Sequence, residues 1–120
     1  FGRVTLSPLS RMSDEAAEEF LTKLPGVGLK TARCVLMYSF DRPVFPVDSH
    51  CLRVARRLEW VENVATLTDR LANEIQEAIP RHLRKGLHIG MVLLGRQICL
   101  PTTPHCEPCP ILQYCPTGRR

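Results

Sequence analysis

Leu24-Pro25-Gly26-Val27-Gly28-Leu29-Lys30-Thr31-Ala32 is the stretch on which the fold turns. It separates two segments whose apolar residues recur at three- and four-residue steps, the spacing that gives a helix one buried face. Before it, Ser13 is placed to cap a helix opening with Asp14 and Glu15, and Ala16, Ala17, Phe20, Leu21 and Leu24 form the inward stripe. Pro25 and Gly26 end that helix. After it, a second helix runs from Leu29 to about Phe40 with Ala32, Val35 and Leu36 inward. Two glycines around one small apolar residue let the chain turn tightly. They also leave unpaired N–H groups at the positive end of a helix, an arrangement that suits a phosphate oxygen.

Further along, Asp41-Arg42-Pro43 reads as a turn and Val44-Phe45-Pro46-Val47 as an extended link, since Pro46 bars a helix there. Asp48 is expected to cap a third helix reaching Leu58. Thr68 caps a fourth, with Leu71, Ile75 and Ile79 on one stripe and Pro80 at its end. A fifth spans about Gly86 to Cys99, after which Pro101, Pro104, Pro108 and Pro110 forbid a long regular element. With no repeat and no strand-like alternation, the fold class is all-α. Three segments are expected: 1–58 with the hairpin and the helices around it, 59–98 with the following helices, and 99–120 as a cysteine-rich loop with a basic tail.

At 120 residues, with 44% apolar and 23% charged residues, the composition is that of a globular domain and excludes a disordered chain. The net charge of +4 permits a polyanionic partner without requiring one. Its distribution says more. From Arg81 onward, six basic residues (Arg81, Arg84, Lys85, Arg96, Arg119, Arg120) stand against Glu107 alone, whereas Val61 to Pro80 is acidic. No apolar run suffices to cross a membrane and no signal peptide is recognisable, so an intracellular location is expected. The chain opens at Phe1 and not methionine, as a processed chain or a piece of a longer one would.

Cys99, Cys106, Cys109 and Cys115 form C-x6-C-x2-C-x5-C in a proline-stiffened loop. Four thiolates in so compact a segment suit tetrahedral zinc or a [4Fe–4S] cluster. Only one C-x2-C knuckle is present, whereas zinc sites usually pair two. Cys34 and Cys51 fall on helices and read as small buried groups. Cys34, four residues from Lys30, could also line whatever site that lysine serves.

Lys30 lies in the first turn after Gly28, where a cation is unwelcome. That placement favours the neutral amine a nucleophile needs, and Arg33 would add to it if the two side chains converged. Asp48 is an N-cap, held ionised by backbone N–H groups. With one oxygen free it is also a fixed negative charge, able to stabilise positive character developing on a sugar as its base departs.

These residues together resemble the endonuclease III family of helix-hairpin-helix DNA glycosylases, over Ser13 to Cys115. The hairpin string is close to that of the superfamily. Lys30 is followed 18 residues later by Asp48 within Val47-Asp48-Ser49-His50, where the family has Val-Asp-Thr-His. The cysteine spacing is also the one with which that family holds [4Fe–4S]. The resemblance implies a partial helix-hairpin-helix glycosylase fold ending in an iron–sulfur loop, with this chain as the C-terminal part. It implies base excision repair on double-stranded DNA carrying a damaged base, of the oxidised pyrimidine kind, or an abasic site. Lys30 would attack C1′ of an extruded nucleotide, expel the base and nick the strand by β-elimination, with Asp48 assisting. Pro25, Gly26, Val27, Gly28, Thr31 and His50 would contact DNA, and Cys99, Cys106, Cys109 and Cys115 would hold the cluster. The related adenine glycosylases carry serine where Lys30 stands, so Lys30 favours lyase chemistry over that monofunctional alternative. A non-catalytic DNA-binding module is the reading from another class. One departure stands out: the loop Leu100-Pro101-Thr102-Thr103-Pro104-His105 lacks the basic residues the family has there, which would pass phosphate contact to Arg96, Arg119 and Arg120.

Overall fold

In a computed structural model, residues 7–62 and 66–119 are described. Among them are five α-helices and no strand: α1 (Asp14–Thr22), α2 (Leu29–Phe40), α3 (Ser49–Arg57), α4 (Asp69–Ala78) and α5 (Arg84–Gln97). Short 3-10 turns cover Ser7–Arg11, Arg81–Leu83 and Leu112–Tyr114. The all-α expectation holds. Arg120 of the basic tail lies outside the described residues.

Local chemistry starts three of the helices. The side chain of Ser13 accepts from the Ala16 amide at 3.1 Å, Asp48 from Cys51 at 2.8 Å and Thr68 from Leu71 at 3.1 Å. Each satisfies an amide that the helix itself leaves free, a contribution of about 1 kcal/mol per cap. On α1, Ala17 and Leu21 are buried, but Ala16 is exposed and does not join the inward stripe. The fifth helix starts earlier than expected, at Arg84, because the Arg81–Leu83 turn feeds straight into it.

Two cores result. Leu9, Ala17, Leu21, Ala32, Leu36, Met37 and Val44 bury the α1–α2 hairpin. Phe45, Val47, Cys51, Leu52, Val54 and Ala55 join α4 and α5 residues such as Ile75 and Met91 in the second. The link Val44–Val47 passes between them, one end in each core, with no residue above 2% exposed among Val44, Phe45 and Val47. Helix α5 crosses α3 at Gly95, where a Cβ would lie 2.9 Å from His50 Cβ and 3.0 Å from Arg53 Nη2. Only glycine permits that approach.

The molecule is elongated, 55 × 24 × 24 Å, with a radius of gyration of 15.9 Å; a compact globule of this length would be roughly 13–14 Å. Trp60 and Leu83 are half exposed and line a groove with Leu71, Ile75 and Leu87. Among the described residues, no helix is long and apolar enough to cross a membrane.

Candidate active site and thiol loop

Gly26 sits at φ +78°, the left-handed region that L side chains rarely adopt, so it is the glycine that makes the turn. Gly28 is extended, and a Cβ there would meet nothing within 4 Å, so its bareness serves no contact inside the chain. As residue before α2 it contributes no side-chain cap, which leaves the first-turn amides open to the outside. Pro25, Gly26, Gly28 and Thr31 are exposed and Val27 half-buried, so the hairpin presents one accessible backbone edge.

Lys30 is exposed at the start of α2 and lines a cavity of about 250 Å³ with Gly28, Thr31, Val47, Thr68 and Asp69. Arg33, expected to press on it electrostatically, is otherwise engaged. Its Nε donates to Glu18 at 2.8 Å and Nη2 reaches both Glu18 and Asn73, so its charge is balanced by a carboxylate on α1.

Burial pushes the Asp48 carboxyl up. Hydrogen bonds from the Cys51 amide and thiol, with the imidazoles of His88 and His50 nearby, outweigh that and hold it below the ordinary aspartate range. Asp48 is therefore a fixed anion. Burial raises the Cys34 thiol, Lys30 lowers it and Asp48 raises it further, so Cys34 lies within reach of both. His88 feels the same two charges. The structure thus gathers Lys30, Cys34, Asp48 and His88 in one neighbourhood. Cys51 is buried, and burial followed by Asp48 drives its thiol up to about 12, which makes it inert. His50 is half-buried and accepts from Arg53 Nη2 at its Nδ1, 3.0 Å away. A guanidinium only donates, so in the neutral ring Nε2 carries the proton and is a donor.

Three residues that the sequence reading did not single out hold the link to Asp48 in place. The link before it has no helix or strand to satisfy its backbone, and buried side chains do so instead. Gln76 Oε1 accepts from the Phe45 amide at 2.7 Å, Arg84 Nη1 donates to the Pro43 carbonyl at 2.8 Å, and His88 Nδ1 donates to the Pro46 carbonyl at 2.8 Å. All three are buried. A signal did exist: Arg84, His88, Met91 and Gly95 are spaced as one face of α5, which puts two polar residues on an inward stripe.

Because His88 is neutral in the fold, stability should depend on pH. Burial lowers its pKa from the ordinary 6.5, more than the Pro46 carbonyl and Asp48 restore. As pH falls below about 6.5, the unfolded chain takes up the proton first, and stability declines until the folded pKa is passed. Melting temperature should be flat from pH 8 to 7 and fall between pH 6.5 and 5. The expected result for His88→Gln is a lower melting temperature with that acid slope removed; an unchanged slope would exclude His88 as its source.

The four loop cysteines are unbridged, half-buried and line one apolar cavity with Leu58, Leu94 and Leu112. No three His, Cys, Asp or Glu side chains among the described residues converge as a finished metal-ligand set. Arg57 Nη1 donates to Cys99 Sγ at 3.1 Å, which sets a guanidinium beside one of the four sulfurs. Arg57 also donates to the carbonyls of Leu100 and Pro101, and its own carbonyl accepts from Thr117 at 2.6 Å. Arg53 donates to the Cys99 carbonyl at 3.0 Å and to that of Gly95 at 2.8 Å. Helix α3 therefore carries Asp48 at one end and braces the thiol loop from the other.

No protein-family model matches the chain. Endonuclease III of Thermotoga maritima is 41% identical over 106 residues, covering 85% of this chain and 47% of the relative. Endonuclease III-like protein 1 of Gallus gallus is 33% identical over 103 residues, covering 85% of this chain and 37% of the relative. Among solved structures, that of a non-covalent endonuclease III–DNA complex superposes with a TM-score of 0.74 at 33% identity, covering 85% of this chain and 47% of that one. A trapped endonuclease III–DNA covalent intermediate gives a TM-score of 0.73 at the same identity. The architecture is thus a helix-hairpin-helix fold of the kind seen in those complexes. The chain is similar to these endonuclease III proteins over 85% of its own length, and it spans less than half of theirs.

Proposed function

We propose that this chain is the C-terminal part of a bifunctional DNA glycosylase and AP lyase of base excision repair, acting on oxidised pyrimidines. The observation that carries the reading is the pairing of an exposed first-turn lysine with an anchored aspartate anion beside an open hairpin. Hairpin amides at Gly26 and Gly28, flanked by Pro25, Val27, Thr31 and the Nε2–H of His50, would hold a phosphate without reading sequence, while the Val27 amide turns back to the Leu24 carbonyl at 3.2 Å. C1′ is closed to attack inside a stacked duplex, so the nucleotide must be extruded. Lys30 Nζ then forms a bond to C1′ as the C1′–N bond breaks, and the electron pair leaves with the base. The attached nitrogen gives up a proton, its lone pair expels O4′, which takes a proton up, and the resulting ring-opened Schiff base loses a C2′ proton and expels the 3′ phosphate. Asp48 stabilises the cationic sugar and relays protons.

The loop supports a [4Fe–4S] cluster held by Cys99, Cys106, Cys109 and Cys115. When bound, it would supply a rigid hub and no bond-making chemistry. Segment 1–58 would carry the chemistry, 59–98 the supporting helices, and 99–120 the cluster and a DNA-facing surface.

Incubating the chain with duplex DNA bearing an abasic site under borohydride tests the proposal. A covalent protein–DNA adduct is expected, from reduction of the Schiff base. Binding without an adduct would favour a DNA-binding module without turnover.

A further inference from the structure

Helix α2 shows one face to the site. Lys30, Cys34 and Tyr38 are spaced four residues apart and so lie above one another. The rise of a helix puts Tyr38 Cα about 12 Å from that of Lys30, and helical side chains lean toward the N-terminus, so the ring covers the turn nearer the lysine. Tyr38 is 55% exposed, unusual for a residue so placed between two cores. Its ring is not loose. It meets the buried His88 edge-on, with centroids 5.7 Å apart and planes at 73°. His88 is itself fixed to the Pro46 carbonyl.

The groups around this ring come from every neighbouring element. Cys34 shares α2, Asp48 and Cys51 belong to the start of α3, and Arg96 projects from α5. Burial, then Cys34, Asp48 and Cys51, raise the phenol above its ordinary value, and Arg96 offsets this only in part. The group is therefore a neutral aromatic surface at working pH, beside one anion and one cation. Among the described residues, the one ring contact of Tyr38 is with His88, and its other side is exposed.

We propose that Tyr38 is the surface on which the extruded nucleobase rests, holding a flat base in the site without choosing among bases. The inference builds on the reading of Lys30 and Asp48 given above. A base leaving the duplex loses its stacking on both faces, and a ring held against His88, two turns along the same face of α2 from the nucleophile, restores one of them. Stacking on an aromatic side chain tolerates any flat base, and its loss corresponds to about five- to hundredfold in affinity.

Binding measurements separate this inference from the chemistry. The affinity of the chain is measured for two duplexes, one carrying a non-cleavable 2′-fluoro nucleotide of 5-hydroxyuracil and one carrying a tetrahydrofuran abasic analogue. Tyr38→Leu should weaken binding to the first by about five- to hundredfold and leave the second unchanged, and Tyr38→Phe should bind both as the parent does. Equal loss on both duplexes, or loss on neither, overturns the proposal. Should Tyr38→Leu melt well below the parent, Tyr38→His keeps a flat ring and the same comparison is read from it, with retained discrimination expected. Borohydride trapping of the parent chain on abasic DNA reports separately on the lysine chemistry.

Discussion

Lys30→Ala is expected to abolish the borohydride-trapped adduct on abasic DNA while leaving the melting temperature within a degree or two of the parent. The two halves of that expectation have different sources. Lys30 is exposed at the start of α2, and no hydrogen bond or ion pair is formed by its amine among the described residues, so alanine there removes little from the fold. The chemistry has no substitute: a Schiff base needs a primary amine, and Arg33, the nearest other cation on that helix, is tied to Glu18. Asp48→Asn is the companion. Asparagine caps a helix as well as aspartate does, so the Cys51 amide keeps its partner and the fold should persist. Only the charge is lost. Base release should fall by about 10²–10³-fold, the size of removing one preorganised electrostatic contact. A preformed abasic site, which has no base to expel, should be affected less. An adduct of undiminished yield from Lys30→Ala would sink the assignment of the nucleophile.

How far the sequence could be read depends on how local the determinants are. Ser13, Asp48 and Thr68 each cap through an amide three residues away, so three helix starts were visible in a four-residue window. The Gly26 turn is equally local. The Asp48 support is not. Gln76, Arg84 and His88 reach the link from 31, 41 and 42 residues away in the chain, and the spacing along α5 marks two of them as inward without saying what they meet. Arg33 illustrates the same limit in reverse. Its spacing from Lys30 suggested mutual repulsion, and a partner 15 residues upstream on α1 turned it into a structural ion pair. Four cysteines in one short loop announced a shared cavity, but the Arg57 side chain that braces Cys99 and its neighbours comes from a helix more than forty residues away. Spacing identifies candidate ligands; the second layer that tunes them is a property of tertiary packing.

Cys106→Ser should have the second largest effect, and it should fall on the loop and not on the lysine. A thiolate-bound iron–sulfur group would give the isolated chain a broad visible absorption and stoichiometric iron, whereas zinc would give neither. Replacing one sulfur by a poorer donor should remove most of the iron and the colour together. The loop has little else to hold it: it is short of regular structure, its four cysteines are only half-buried, and its contacts with α3 run through Arg53 and Arg57. Those contacts should loosen with the metal, exposing the Leu58, Leu94 and Leu112 cavity and lowering the melting transition. If the loop faces DNA as proposed, DNA affinity should drop as well. The adduct formed at saturating DNA should survive, because Lys30 and the Asp48 cap are held by α2, α5 and the buried link. Full iron content in Cys106→Ser would remove that residue from the ligand set. Loss of the adduct at saturating DNA in a variant that still melts cooperatively would show that the loop also governs the geometry of the lysine site, through the α3 brace.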